Sequence, residues 1–348
     1  MKPFEALAHI RQLSCLGLPS EVVIPRMLEA LHDLVASEIN TFVWTDAGGA
    51  AINMFAPHIL PSTVGFMAEA YHLCQQPGEM SIESLTNGPL VCGNIIPWYA
   101  CGAYEGTVAA NEVFKPQGAR NVLDLVIRDE SGPRGMVLLH RGSSTAYYKA
   151  ADQRVLAGLA PWFLQALDGA RPFDGRYADT EDEELLLCNI DGEILEASAG
   201  ARRLLLYAGS KAFAPRMTGA MDLPQQVRWV CRAFERSRNG EASMPPRVQI
   251  MTPWGRFKFQ VHGLQADVLA VVIRREEPLP LKLMARLKTL PLSPREREVA
   301  FHLGLGHGPE TVEARLGVTR ATYRDYVERI HARLEVHSRA ELVSMLTA

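Results

Sequence analysis

The stretch that decides the fold is TRATYRDYVERIHARL, residues 319–334. Its apolar side chains recur at spacings of i, i+4, i+7 and i+11, at Tyr323, Val327, Ile330 and Leu334. This spacing places them on one face of a helix. Thr319 stands directly before that helix and is a favoured N-cap residue. The stretch therefore predicts a capped amphipathic helix with one buried face and one open face.

Two shorter helices are predicted upstream of it. Ser293-Pro294-Arg295-Glu296 has the pattern of a capping box with proline at the first helical position, where its missing N–H is not needed. A second helix is predicted to start near residues 308–310 and to end at Gly317. Two short helices, a glycine turn and a capped helix are typical of a helix-turn-helix. Residues 336–348 predict a fourth helix.

The landmarks of this segment resemble the LuxR-type helix-turn-helix of bacterial transcription regulators. They are SPREREV at 293–299, RLGV at 315–318, and Val336 followed by Ser338, Arg339 and Ala340. The resemblance implies that residues 291–348 form a four-helix domain whose third helix enters the major groove of double-stranded DNA, in a homodimer. The residues that it assigns to DNA binding are Thr319, Arg320, Thr322, Arg324, Asp325, Tyr326, Glu328 and Arg329.

The charge of this segment is unusual for a DNA-binding surface. Residues 289–348 hold eight arginines, no lysine and eight acidic residues, and Asp325 and Glu328 lie near the middle of the open face. Off-site affinity for DNA comes from neutralising phosphates, so a neutral segment predicts weak off-site binding. We expect i, i+4 ion pairs from Asp325 to Arg329 and from Arg324 to Glu328. The alternative interpretation is a non-catalytic interaction protein whose helix-turn-helix docks on a protein partner.

Residues 1–170 are predicted to form a mixed α/β unit. Its elements are helix 20–35 with Ser20 as N-cap, strands 40–46 and 50–56, a hairpin of strands 121–129 and 135–141, and helix 149–170. This order of elements resembles a GAF-type sensor domain. The resemblance rests on element order, because the region contains no sharp motif.

Residues 184–274 are predicted to form a second α/β unit, which resembles a PAS-type module. It comprises a hairpin around Asp191-Gly192, helices 199–208 and 227–238, and strands 247–252, 255–263 and 267–275. The polar segment 170–184 and the proline-flanked segment 275–291 are interpreted as boundaries, with 275–290 as a linker helix. The predicted fold class is therefore a multidomain α/β plus all-α protein.

Composition narrows the functional classes. The net charge of −3, the lack of a signal peptide pattern and the absence of a run of about 20 apolar residues predict a cytoplasmic protein that is not bound to a membrane. The six scattered cysteines have no metal-binding spacing, and we expect no cofactor. No GxSxG, HExxH or P-loop pattern is present, so we expect a protein that is not an enzyme.

Aromatic residues mark a candidate ligand site in the first unit. The segment 94–106 is rich in them, and the candidate ligand-binding residues are Trp44, Trp98, Tyr99, Cys101 and Tyr104. Core packing is the alternative explanation for these side chains. The expected signal is a small molecule or a protein that acts on the N-terminal unit.

Overall fold

The structure is a computed structural model that describes residues 2–57, 61–89, 91–94, 106–142, 147–169, 173, 175–209, 222–238, 240, 245–265 and 267–347. In this part of the chain, two five-stranded antiparallel sheets are combined with helices, so the protein has a mixed α/β architecture. None of the described helices is long and apolar enough to cross a bilayer.

The first sheet and its helices come from the first half of the chain. The elements are α1 (Pro3–Ser14), α2 (Ser20–Leu31), β1 (Ile39–Thr45), β2 (Ala51–Phe55), α3 (Pro61–Glu69), a 3-10 turn (Tyr71–Gln75), α4 (Ile82–Asn87), β3 (Cys92–Asn94), a π-helical turn (Ala110–Phe114), β4 (Asn121–Asp129), β5 (Gly132–Arg141), α5 (Ala150–Ala157) and α6 (Ala160–Leu167). The strand order is β2-β1-β5-β4-β3, and the predicted hairpin of β4 and β5 is confirmed.

This sheet is covered on both faces, and the side chains along each strand point alternately into two different cores. Phe42, Leu123 and Val137 belong to the core that includes α1, α2 and α6. Val43 and Val122 belong to a separate core that includes α3 and the turns around it. Successive side chains of a strand point to opposite faces, so neighbouring residues of β1 serve different cores.

The second sheet repeats the strand order of the first. Its elements are β6 (Tyr177–Asn189), β7 (Ile194–Ala197), α7 (Ala199–Ala208), α8 (Gln225–Arg238), β8 (Arg247–Thr252), β9 (Gly255–Gly263) and β10 (Val268–Pro278). The order β7-β6-β10-β9-β8 corresponds to β2-β1-β5-β4-β3 position by position. The predicted turn between β6 and β7 is present, with Gly192 at φ +82°, a conformation that glycine adopts without strain.

Five helices complete the chain. They are α9 (Leu279–Thr289), α10 (Pro294–Gly304), α11 (Pro309–Leu316), α12 (Arg320–Leu334) and α13 (Arg339–Thr347). They share one core, to which α9 contributes Leu283 and Leu287. Since β10 ends at Pro278 and α9 begins at the next residue, the second sheet is joined to this helical core without a loop.

Four local predictions need correction. The polar segment 170–184 was expected to be a break, but β6 begins at Tyr177, and the acidic residues form cross-strand ion pairs with β10, Arg274 with Glu183 and Arg275 with Asp182. Charged residues on the solvent face of a strand have the composition of a linker, and composition alone does not separate the two. The predicted linker helix likewise begins four residues later than 275, at Leu279, because β10 extends to Pro278.

The other two corrections concern helix ends. The single helix expected over 149–170 is divided near Gly158 into α5 and α6, because Pro161 has no N–H to bond the carbonyl of Ala157. The N-cap residue of α2 is Pro19, and not Ser20 as expected. The Ser20 hydroxyl instead donates to the Glu21 carboxylate and accepts from the Trp44 indole at 2.9 Å.

The two sheets are not separate in their packing. Trp254, fully buried in the β8–β9 turn, stacks on Tyr207 at 4.4 Å between ring centroids and meets Trp44 of β1 edge-on at 5.6 Å. Arg26 of α2 forms an ion pair with Glu277 of β10, with 3.0 Å between nitrogen and oxygen. One hydrophobic cluster therefore spans both sheets, although the sequence was interpreted as two α/β units.

Candidate nucleic-acid interface

Helix α12 begins with a complete N-cap. The Thr319 hydroxyl accepts from the backbone N–H of Thr322, and the two threonine hydroxyls lie 2.9 Å apart. Gly317 ends α11 in the left-handed region at φ +63°, which reverses the chain into α12. The predicted glycine turn and the predicted threonine cap are both confirmed.

The inner face of α12 is fixed by packing and by two ion pairs. Tyr323 and Ile330 are buried in the helical core, and Val327 and Leu334 pack against it. Arg333 reaches Glu296 at the start of α10 with 2.9 Å between nitrogen and oxygen. Arg320 reaches Glu313 of α11 at 3.4 Å. The predicted apolar face is confirmed, and α12 is held against both preceding helices.

The outer face of α12 is open. Arg324, Asp325, Glu328 and Arg329 are exposed, while Thr322 and Tyr326 at its border are half-buried. Helix α12 therefore brings six of the eight predicted DNA-binding residues together on and beside one surface. The other two, Thr319 and Arg320, lie exposed at its N-terminal end.

The ion pairs expected on this face are not formed. Arg329 instead donates from Nε to the backbone carbonyl of Asp325 at 3.1 Å, and its guanidinium lies 4.9 Å from the ring centre of Tyr326. Within the described residues, neither Asp325 nor Glu328 joins an ion pair. Both carboxylates thus remain unneutralised on the outer face, which strengthens the electrostatic argument against off-site DNA binding.

The capping box at the start of α10 carries a buried charge. Glu296 accepts from the backbone N–H of Ser293 at 2.7 Å and from Arg333, and only 2% of its side chain is exposed. Burial alone raises the pKa of the Glu296 carboxyl, but the hydrogen bonds from Ser293 and the charge of Arg333 outweigh it, so the pKa lies below its ordinary value. The ionised carboxylate therefore stabilises the junction of α10 and α12.

We expect Glu296→Gln to lower the free energy of unfolding by about 1–3 kcal/mol at pH 7. A depressed carboxyl pKa contributes stability above the unfolded value of about 4.3, and this stability is lost as the pH falls through the lower folded pKa. The difference between variant and native protein should thus shrink below about pH 4. Urea unfolding at several pH values measures it. Glu310→Gln, at an exposed first-turn position of α11, is the matched control; an equal loss in both variants contradicts the account.

A histidine pair lies at the junction of α10 and α11. The Nδ1 atoms of His302 and His307 are 3.1 Å apart. Burial, the partner His307 and Arg315 lower the pKa of His302, and burial together with Arg315 and Arg339 lowers the pKa of His307. Both shifts favour the neutral imidazoles and so oppose a positive charge at this site. The described residues contain no cluster of three metal-ligating side chains.

The structure describes only one of the five predicted ligand-binding residues, Trp44. Trp44 packs against Phe42 and Trp254 in the core shared by the two sheets, so packing accounts for its burial. The remaining four, Trp98, Tyr99, Cys101 and Tyr104, lie outside the described residues. A cavity of about 80 Å³ instead lies on the opposite face of the first sheet, against α3, α4 and the neighbouring turns. Sequence reasoning missed it, because its walls come from residues 41 to 140.

Comparison with known proteins gives only distant likenesses. No family model and no curated protein matches the chain. Among solved structures, a Vibrio cholerae VqmA dimer, described as a LuxR-type receptor, is 15% identical over 48% of this chain and 82% of its own, with a TM-score of 0.16. The sensor region of a sensor histidine kinase is 12% identical over 71% and 86%, with a TM-score of 0.20. These TM-scores are too low to support an argument about fold or function.

Proposed function

We propose that the chain is a DNA-binding transcription regulator with a LuxR-type helix-turn-helix at 291–348, preceded by GAF-like and PAS-like sensor units. The observation that carries the proposal is the arrangement of α12. Its apolar face is anchored on α10 and α11, its start is capped by Thr319, and its opposite face is open. A helix held in this way by two shorter helices is the form in which a recognition helix enters the major groove.

The outer face of α12 supplies both attractive and repulsive groups for DNA. Arg324 and Arg329 are exposed cations that can bond to phosphate or to the O6 and N7 atoms of guanine. Asp325 and Glu328 repel phosphates, but a carboxylate can accept from the amino group of cytosine. The face therefore favours binding at selected sequences over general attraction to the DNA backbone.

The connections between the N-terminal units and the helical core support our proposal that these units control it. Strand β10 continues directly into α9, whose buried leucines belong to the core that supports α12. The Arg26–Glu277 ion pair attaches the end of β10 to α2 of the first unit. In our proposal the protein acts as a homodimer, and a signal in the first unit changes the spacing of the two recognition helices.

The proposal predicts that Arg324→Ala weakens binding to a specific DNA site by about 1–3 kcal/mol, which is roughly 5- to 150-fold. Gel retardation at low salt against fragmented genomic DNA identifies the site, and titration of that fragment gives the affinity. The control is Arg202→Ala, which removes the same charge from an exposed position on α7. It should change the affinity by less than about twofold. Equal affinity of the Arg324→Ala variant and the native protein contradicts the proposed groove contact.

A second candidate function is favoured by one observation. The unneutralised Asp325 and Glu328 suit a basic protein surface better than phosphate. In that case α12 docks on a protein partner. The same retardation experiment separates the candidates, since a folded protein that retards no fragment even at low salt supports protein docking and contradicts DNA binding.

A further inference from the structure

The cavity of the first unit is lined mainly by apolar side chains. It lies between the sheet and the segments α3, α4 and Ala110–Phe114, and its volume is about 80 Å³. A cavity needs about 10–15 Å³ to hold one water, so the space fits several waters or one compact organic molecule. Four methionines line it: Met54, Met67, Met80 and Met136. Methionine side chains are flexible and adapt to the shape of an apolar ligand.

The chemistry of the walls restricts what can bind. None of the described lining residues is an aspartate, glutamate, lysine or arginine. Transfer of an ion into such surroundings without a partner is strongly unfavourable. An uncharged molecule is therefore the class of ligand that these walls accept.

Two polar side chains of the cavity wall, His140 and Thr63, have polar atoms without a hydrogen-bond partner among the described residues. Within the described part of the chain, neither ring nitrogen of His140 has a hydrogen-bond partner. The Thr63 hydroxyl has none among these residues either. His140 is 5% exposed and Thr63 is 1% exposed. By contrast, the Tyr71 hydroxyl of the same lining donates to Glu83 and accepts from Ile82. Buried polar groups almost always have partners, so each of these two groups is a candidate for a hydrogen bond to a ligand.

The protonation state of His140 determines which polar group of a ligand can bond to it. Burial lowers the pKa of its imidazole to about 4, so the ring is neutral at physiological pH. A neutral imidazole offers one N–H donor and one acceptor nitrogen. Phe114 lies beside it, with 5.6 Å between ring centroids, so the polar group is set in an apolar wall.

We propose that this cavity binds a small, uncharged, mostly apolar molecule whose hydroxyl or carbonyl group forms a hydrogen bond with His140. Its role as the signal rests on the proposed regulatory function, whereas binding itself is measured without DNA. Strand β1 connects the cavity to the rest of the protein, because Val43 lines the cavity while the next residue, Trp44, contacts Trp254 of the second sheet. Filling the cavity can therefore displace the contact between the sheets.

The test uses phenol, benzene and benzoate as aromatic probes of different polarity and charge. Protein labelled with ¹³C at the methionine methyl groups reports occupancy through the four lining methionines. Phenol and benzene should shift these four methyl signals, and benzoate should not. His140→Leu should weaken phenol binding about fivefold and leave benzene within about twofold. His262→Leu, at an exposed position of β9, should change neither affinity.

Three results overturn the inference. They are no shift of the four signals with benzene or phenol, binding of benzoate as tight as that of phenol, and an unchanged phenol affinity in the His140→Leu protein. If that variant does not fold, the comparison of phenol with benzoate in the native protein still decides. Retardation of DNA by the native protein is a separate measurement, so failure of the ligand site is distinguishable from failure of the proposed function.

Discussion

Replacement of Trp254 by alanine is expected to lower the free energy of unfolding by about 3–5 kcal/mol. The indole is fully buried and touches Tyr207 of its own unit as well as Trp44 and Phe55 of the first sheet. Its removal leaves a cavity in the cluster that spans both sheets. Because that cluster is shared, we expect both units to become less stable together. Urea unfolding followed by circular dichroism measures the change.

Trp229→Ala is the matched control for this variant. Trp229 lies on α8 and is 67% exposed, so its loss should alter the free energy of unfolding by less than about 0.5 kcal/mol. A loss below about 1 kcal/mol in the Trp254→Ala protein contradicts the shared core.

The double variant Asp325→Lys, Glu328→Lys should bind non-specific duplex DNA on the order of 100-fold more tightly at low salt. The two changes remove two repelling carboxylates from the outer face of α12 and add two cations there. If each lysine contacts one phosphate, the slope of log affinity against log salt should steepen by about 2. Fluorescence anisotropy with a labelled duplex of arbitrary sequence, titrated at several salt concentrations, gives both quantities.

The control carries the same change in net charge at a distance from α12. Glu181→Lys with Glu196→Lys alters two exposed residues of the second sheet. It should raise the affinity by less than about threefold. If the two double variants behave alike, the effect is one of net charge, and the outer face of α12 does not contact DNA.

The features that could be predicted from the sequence are local. The capping box of Ser293 and Glu296, the Thr319 cap and the buried face of α12 depend on residues a few positions apart, and helix geometry fixes their relation. The β4–β5 and β6–β7 hairpins were predictable for the same reason. In each case strand-forming runs of residues flank a segment with turn residues.

The features that could not be predicted depend on contacts between distant segments. The contact of Trp44 with Trp254 and the cavity around His140 bring together residues far apart in sequence, and no local pattern records them. The prediction of ion pairs on the outer face of α12 was also wrong. The spacing allows them, but the Arg329 side chain turns to a backbone carbonyl and to the ring of Tyr326.

Recovery and sequencing of the genomic DNA that purifies with the protein tests the central claim most directly. We expect the native protein to enrich a small set of sites with two half-sites separated by about one helical turn or a multiple of it, as a dimer requires. The Arg324→Ala protein, purified in parallel, should lose that enrichment. A folded native protein that retains no sequence above background, or an enrichment that survives Arg324→Ala unchanged, contradicts the assignment of α12 as a recognition helix.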